Sequence, residues 1–172
     1  MKPTSHHATN MTIDPEKLRS AMRAWTAGVT IVTASFEGIK HGMTVNSFTS
    51  VSLEPAWITI SLQQSSRTRD LIHRSEAFGI TILTQDQQEL ADRFAGRIPD
   101  MEDRFTGLET VTYQTGAPLI KNGLAHMDCR LVQSIDVGMN TLFIAEVVEA
   151  YTDISSQPLI YHDRKYWKLS AI

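Results

Sequence analysis

The 172-residue chain is poor in cysteine, and it has no excess of positive charge. Its single cysteine, Cys129, excludes an intrachain disulfide and a four-thiolate metal site, and favours a reducing, cytoplasmic setting. The 16 Lys and Arg residues are outnumbered by 19 Asp and Glu residues, which leaves a formal net charge of −3. Non-specific nucleic-acid binding requires a basic surface, so we expect no nucleic-acid partner.

Long apolar runs are also absent. No segment approaches the roughly 18 consecutive apolar residues of a membrane helix, and the N-terminus lacks the apolar run of a signal peptide. No repeat or linker divides the chain. We therefore expect no membrane segment, a disordered tail over residues 1–13 and one domain over residues 14–172.

The chain lacks the glycine-rich dinucleotide and phosphate-loop motifs, the zinc-protease motif and the hydrolase nucleophile motif. The histidines that follow the tail have no metal-ligand spacing, so we expect no metal site. Those histidines are His41, His73, His126 and His162. We expect Cys129 to be a small buried hydrophobic residue, because it lies on the apolar face of an alternating segment.

Hydrophobic periodicity predicts a mainly β chain with about seven strands and two or three short helices. The predicted strands are 29–36, 43–52, 56–62, 77–83, 124–133, 141–151 and 158–169. The predicted helices begin at Asp14, Ser66 and Asp86 and end at Gly28, His73 and Phe94. We expect residues 96–108 to form a loop or lid. Strands mostly follow strands, which favours a closed antiparallel barrel with peripheral helices over a doubly wound parallel sheet.

Three polar segments are candidates for a binding site. Segment 42–52 carries six small hydrogen-bonding side chains, which fit an exposed edge strand and the wall of a site for a polar planar ligand equally well. Segment 61–69 combines hydroxyls with a helix start, which is suited to phosphate but is also an ordinary helix cap. Segment 161–167 is rich in aromatic and polar residues of the kind that close a pocket over a planar ring.

These segments, taken in order, resemble one known family. The motifs that carry the resemblance are AMRAWTAGVTIVT (21–33), GMTVNSFTSVSLEP (42–55), SSRT (65–68), RFAGR (93–97) and PLIYHDRKY (158–166). Each motif is weak alone, but together they cover the chain from about Leu18 to Leu169. The chain resembles the short-chain flavin reductases, the reductase components of two-component flavin-dependent monooxygenases.

The resemblance implies a six- to seven-stranded antiparallel Greek-key split barrel of the FMN-binding type, which forms a homodimer and binds FMN or FAD near the subunit interface. Hydride would pass from NADH or NADPH to the flavin, and reduced flavin would pass to a partner monooxygenase. The cofactor carries this chemistry, so we expect no catalytic side chain.

The resemblance also assigns site residues. The isoalloxazine wall is expected from Thr44, Val45, Asn46 and Ser47, continued by Ser50 and Val51. The ribityl and phosphate groups are expected at Ser61, Gln63, Ser66 and Thr68, and the second helix is expected to contribute Phe94 and Arg97. The nicotinamide side is expected at Asn140, His162 and Tyr166.

One segment departs from the family pattern. Many members carry Gly-Asp-His where this chain has Gly138, Met139 and Asn140, and that histidine is associated with the nicotinamide side. Two alternatives therefore stay open. One is a flavin-binding split barrel without free reductase activity, acting as a bound-flavin oxidoreductase, carrier or sensor. The other is an oligonucleotide-binding barrel, which the net charge disfavours.

Overall fold

The computed structural model describes residues 13–98 and 103–170. The described part is mainly β, as predicted. Its helices are α1 (Pro15–Met22), α2 (Arg67–Ser75) and α3 (Gln88–Phe94). Its strands are β1 (Ala27–Gly28), β2 (Thr30–Phe36), β3 (Ile39–Val45), β4 (Thr49–Leu53), β5 (Ala56–Gln63), β6 (Ala77–Ile82), β7 (Thr110–Val111), β8 (Leu119–Ile120), β9 (Ala125–Val137), β10 (Asn140–Thr152), β11 (Leu159–His162) and β12 (Lys165–Lys168).

Seven strands form the main sheet, in the order β3-β2-β6-β9-β10-β5-β4. Every neighbouring pair in it is antiparallel, which confirms the predicted sheet type. A smaller sheet, β1-β11-β12, lies beside it, and β7 pairs with β8. No described helix is long and apolar enough to cross a membrane.

One core cluster holds the main sheet in a curled shape. It joins Val32 of β2, Ile60 of β5 and Phe143 of β10 with Leu71 and Ile72 of α2. Because β2 and β5 lie near opposite edges of the sheet, their side chains meet only if the sheet bends around α2. Cys129 belongs to this cluster, so it is the buried hydrophobic residue that its strand position predicted.

A second core cluster lies on the other face of β2. Ile31 packs there with Phe94 of α3 and with Phe105, and Leu159 of β11 closes the cluster. Alternation along β2 therefore sends Val32 into one core and Ile31 into the other. This second cluster positions α3 and the β11–β12 hairpin next to the end of β3.

Several predicted boundaries are wrong. The polar segment 43–52 is two strands, because the chain leaves β3 at Asn46 and enters β4 at Thr49. Helix α1 ends at Met22 and does not continue to Gly28, which instead pairs with Ile160 in the small sheet. The cap position of α3 is Gln87 and not Asp86. The side-chain Oε1 of Gln87 accepts a hydrogen bond from the Thr84 amide.

The segment predicted as a loop or lid lies partly within the described residues. Residues 96–98 and 103–108 contain no helix or strand, and residues 99–102 lie outside the described part. Phe105 anchors the segment in the second core, and Arg104 donates to the Phe94 carbonyl at 2.8 Å. The tail predicted for residues 1–13 lies outside the described residues except for Ile13, which is exposed.

Candidate functional site

A cavity of about 170 Å³ opens where the end of β3 meets the residues after α3 and the β11–β12 hairpin. Four separate parts of the chain form its wall, because Val29 before β2 joins the three parts just named. The lining residues are Val29, Thr44, Val45, Asn46, Ala95, Arg97, Tyr161 and Tyr166. The wall combines apolar groups, two phenol rings, one amide and one guanidinium, which suits a planar ligand with a polar edge.

Hydrogen bonds fix the β3 side of this cavity. The Thr44 hydroxyl donates to the Ala91 carbonyl at 2.7 Å, which ties β3 to α3. The Thr30 hydroxyl donates to the Val45 carbonyl at 3.2 Å from the neighbouring strand. Asn46, the first residue after β3, is exposed and offers its amide to a ligand. The backbone at this wall is therefore rigid, while the Asn46 side chain is available.

Ser47 holds the β3–β4 connection against β5. Its hydroxyl donates to the Ser61 carbonyl at 2.9 Å and accepts from the Ser61 amide at 3.1 Å. This reciprocal pair uses the single hydroxyl proton of Ser47 and a lone pair. Ser47 therefore positions the connection that follows Asn46.

Asp92 of α3 anchors two groups of the opposite wall. Its Oδ1 accepts from Arg97 Nη1 at 2.7 Å and from the Tyr166 hydroxyl at 3.1 Å. The hydrogen bond to Asp92 raises the pKa of Arg97, and burial together with Asp92 raises the pKa of Tyr166 to about 12. At neutral pH this wall presents a guanidinium cation and a neutral phenol.

The start of α2 shows why a helix forms there. The Ser66 hydroxyl accepts from the Arg69 amide at 3.3 Å, which confirms the predicted cap. Thr68, two residues after Ser66, is completely buried, and its hydroxyl is hydrogen-bonded to His41 Nδ1 at 2.8 Å. Burial and the nearby Arg104 and Arg67 lower the pKa of His41 to about 4, so His41 is neutral at pH 7.

Comparison with known proteins decides the family. The model of the flavin reductase-like domain matches residues 22–170. The chain belongs to the flavin reductase-like family.

Two curated relatives and one solved structure show how much of the chain this family accounts for. The reductase component of an FADH(2)-dependent resorcinol hydroxylase from Rhizobium sp. (strain MTP-10005) is 34% identical over 153 residues, 88% of this chain and 85% of the relative. The NADH-dependent flavin reductase StyB from Pseudomonas fluorescens is 34% identical over 157 residues, 90% of this chain and 89% of that protein. The structure of flavin reductase PheA2 in its native state superposes with a TM-score of 0.85 at 33% identity, covering 92% of this chain and all of PheA2.

Five residues assigned from the family resemblance line the cavity of this flavin reductase. They are Thr44, Val45, Asn46, Arg97 and Tyr166. Their position in one cavity is consistent with the binding site for the isoalloxazine ring that the resemblance implied. Contact of each residue with flavin or nicotinamide stays a prediction.

Two of the assigned residues have side chains that are fully buried in the single chain. Phe94 is fully buried in the second core, where its ring meets Phe105 edge-on at 5.2 Å. Thr68 is fully buried beside His41, to which its hydroxyl is hydrogen-bonded, and its contact with a ligand phosphate stays a prediction. Phe94 instead supports the backbone that leads to Arg97, and the accessible groups at the α2 start are Ser66 and Arg67.

The remaining assigned residues lie outside the cavity. Ser50 and Val51 are exposed on the edge strand β4, at an irregularity in its pairing with β5. Ser61 is half-buried on β5 beside Ser47, and Gln63 ends β5 in register with Asn140.

The three residues assigned to the nicotinamide side lie in two different sheets. Asn140 lies in the main sheet at the β9–β10 turn, whereas His162 and Tyr166 lie in the small sheet. His162 Nδ1 is 2.9 Å from the Thr26 hydroxyl.

Four residues of the site were missed from the sequence: Val29, Ala95 and Tyr161, which line the cavity, and Asp92, which supports it. Tyr161 lines the cavity, with its ring 5.6 Å from that of Tyr166. Its place in the aromatic segment 161–167 was a usable signal. Asp92 was missed because nothing along α3 indicates that a carboxylate there meets a hairpin 74 positions later.

Proposed function

We propose that this flavin reductase oxidises NADH, transfers the hydride to FMN or FAD and releases reduced flavin to a partner monooxygenase. One observation carries the proposal: relatives that are about a third identical over nearly the whole chain are named as reductase components or NADH-dependent flavin reductases. Those names favour a free reductase over the bound-flavin alternative.

The cavity residues fit the chemistry of flavin reduction. The flavin ring has a hydrogen-bonding edge and apolar faces, and the wall offers the Asn46 amide beside Val29 and the Tyr161 ring. The reaction converts NADH, oxidised flavin and one proton into NAD⁺ and reduced flavin, and the hydride acceptor is the flavin itself. The protein supplies stacking geometry, and the Arg97 guanidinium stabilises negative charge on a ligand at this wall.

We further propose a homodimer in which each subunit completes the other's site. The cavity of about 170 Å³ is below the roughly 300–1,000 Å³ of typical ligand pockets, so one chain holds only part of a flavin. The outer face of the main sheet, away from Phe143, carries an apolar group across β9 and β10. Its members are Ile135, Val137, Leu142 and Ile144, and they form the outer-face patch.

Helix α1 supports the same assembly. None of its eight residues is buried, and Leu18 and Met22 are exposed. A helix this short is marginal in water without packing. Packing against a second subunit would bury the apolar residues of α1. Residues 14–172 would then act as one flavin-reductase domain within each subunit, in the cytoplasmic setting that the single cysteine favours.

The deciding experiment is steady-state oxidation of NADH and of NADPH, with FMN and with FAD added in turn. We expect rapid loss of NADH absorbance that depends on added flavin. A reaction without flavin is the control for slow background oxidation. Clear flavin binding by fluorescence quenching without any turnover would overturn the reductase proposal.

A further inference from the structure

A second cavity lies where β9 begins and β10 ends, at the opposite end of these strands from their connecting turn. Its volume is about 250 Å³, and Val111, Tyr113, His126 and Tyr151 are among the residues that line it. We refer to it as the His126 cavity. None of the residues assigned to flavin or nicotinamide lines it, so the proposed function leaves this cavity unexplained.

The His126 cavity is separate from the cavity at the end of β3. Thr44 and His126 are aligned across β3, β2, β6 and β9, which is three steps between neighbouring strands and about 14 Å across the sheet. The outer-face patch is farther away, because Tyr151 lies nine residues beyond Leu142 on β10, about 30 Å along the strand. A small ligand can therefore occupy the His126 cavity without contacting either region.

Hydrogen bonds fix the orientation of the His126 ring. Its Nε2 lies 2.7 Å from the Ile120 carbonyl oxygen. A carbonyl only accepts, so Nε2 carries the ring hydrogen, and in the neutral ring Nδ1 has a free lone pair. The Ile120 amide donates to the Thr81 hydroxyl at 3.1 Å, which holds this carbonyl in place. Burial lowers the pKa of His126, so the neutral ring is the form present at pH 7.

The lone pair on Nδ1 has no donor. His126 is only 5% exposed, and its Nδ1 makes no hydrogen bond within the described part of the chain. A buried polar atom without a partner costs the protein the desolvation free energy of that atom. Because His126 lines the cavity, a molecule bound there can supply the missing hydrogen bond from an O–H or N–H group.

Aromatic side chains form much of the remaining wall. The Tyr151 ring is stacked on His126, with 6.1 Å between the ring centroids and 27° between the ring planes, and Tyr113 lines the same cavity. Tyr151 is 54% exposed, so rotation of its side chain opens the cavity without disturbing the core. Aromatic walls favour a planar ring as the ligand.

We propose that the His126 cavity binds a small aromatic molecule that carries a hydroxyl group on its ring. The ligand ring packs against Tyr151, and its hydroxyl donates to His126 Nδ1. An anionic ligand fits less well, because Lys121 at this cavity is already paired with Glu109 at 3.0 Å and Asp153 adds a carboxylate. This inference does not depend on the proposed function.

The test uses the full-length protein and phenol as the probe, with binding measured by titration calorimetry. We expect a Kd of about 1 mM, which is reasonable for a ligand of about seven non-hydrogen atoms. Anisole has the same ring but no hydroxyl hydrogen, so its Kd should be about fivefold higher or more. In protein labelled with 15N-histidine, the Nδ1 resonance of His126 should shift with phenol and not with anisole.

Variants at two positions locate the ligand. Tyr151→Leu removes an exposed ring and should raise the Kd for phenol about fivefold, whereas the matched control Tyr151→Phe keeps the ring and should stay within about twofold of the wild type. His126→Phe removes the acceptor and should make the Kd values for phenol and anisole equal. Because His126 is buried, the Tyr151 variants provide the test if His126→Phe does not fold.

Three outcomes would overturn the proposal: equal Kd values for phenol and anisole in the wild-type protein, phenol binding weaker than about 10 mM, or unchanged phenol binding in Tyr151→Leu. The titrations need neither NADH nor flavin, so they are separable from failure of the proposed function. Phenol binding that depends on His126 and Tyr151, without any NADH oxidation, would retain this site and reject the reductase.

Discussion

At the residue scale, one carboxylate organises the cavity. Asp92 does not line the cavity, but both Arg97 and Tyr166 donate to its Oδ1. A charged acceptor strengthens both hydrogen bonds, and sharing it couples the guanidinium to the phenol. Asp92 is therefore a positioning residue whose effect on a ligand is transmitted through Arg97 and Tyr166.

Replacing this carboxylate tests that role. We expect Asp92→Asn to lower kcat/KM for NADH roughly tenfold, because Arg97 and Tyr166 lose a charged anchor. The pKa of Tyr166, raised to about 12 partly by Asp92, should fall in the variant, and spectrophotometric tyrosine titration measures it. Glu89→Gln, an exposed change on the same helix, is the control. An unchanged tyrosine titration would contradict the assignment.

His41 provides a pH prediction. Its pKa in the folded protein is lowered from 6.5 to about 4, mainly by burial, so the unfolded chain binds this proton more readily. The free energy of unfolding is then highest above pH 6.5 and falls as the pH drops through about 4. We expect urea unfolding to show a weaker loss of stability over this range in His41→Asn. Identical pH dependence in both proteins would contradict this expectation.

At the element scale, two side chains at the start of α2 make hydrogen bonds that stabilise the helix and its position. Ser66 satisfies the Arg69 amide, while Thr68 links the helix to His41 of β3. The cap was predicted from Ser66 alone, but the sequence did not indicate the hydrogen bond between Thr68 and His41, because these residues are distant along the chain.

Strand β5 was predicted correctly because its pattern is local. Its strict alternation buries Ile58, Ile60 and Leu62, and this pattern needs no information from distant residues.

Removing the α2 cap should have a measurable cost. We expect Ser66→Ala to lower the free energy of unfolding by about 1 kcal/mol, because the Arg69 amide loses its acceptor. Urea denaturation at neutral pH measures the change. Ser65→Ala is the control, since Ser65 is exposed and precedes the cap. A loss no larger than that of Ser65→Ala would show that the cap contributes nothing.

At the scale of the whole molecule, the curled sheet leaves two kinds of surface. Its inner face is filled by the core around α2, while its outer face exposes the outer-face patch at the β9–β10 hairpin. Exposed apolar groups that share one face are typical of an interaction site.

A charge on the outer-face patch tests the dimer. Ile135 is paired with Leu142 across β9 and β10 and is 39% exposed. We expect the wild-type protein to sediment as a dimer and Ile135→Glu to sediment as a monomer, because a buried unpaired carboxylate is costly at an interface. Ile154→Glu, on the loop after β10, is the control and should stay dimeric. A monomeric wild-type protein would reject the homodimer.

The sequence by itself determined most strands of the main sheet, their antiparallel arrangement and the family. Periodicity and caps act over a few residues, and the ordered motifs identify the wall from Thr44 to Asn46. Only the tertiary structure decided which side chains meet. Arg97 and Tyr166, 69 positions apart, converge on Asp92, and Tyr113, His126 and Tyr151 line one cavity. Phe94 shows the same limit: its motif suggested a ligand contact, but packing against Phe105 placed it in the core. Such contacts depend on how distant elements pack, and local sequence patterns do not predict that packing.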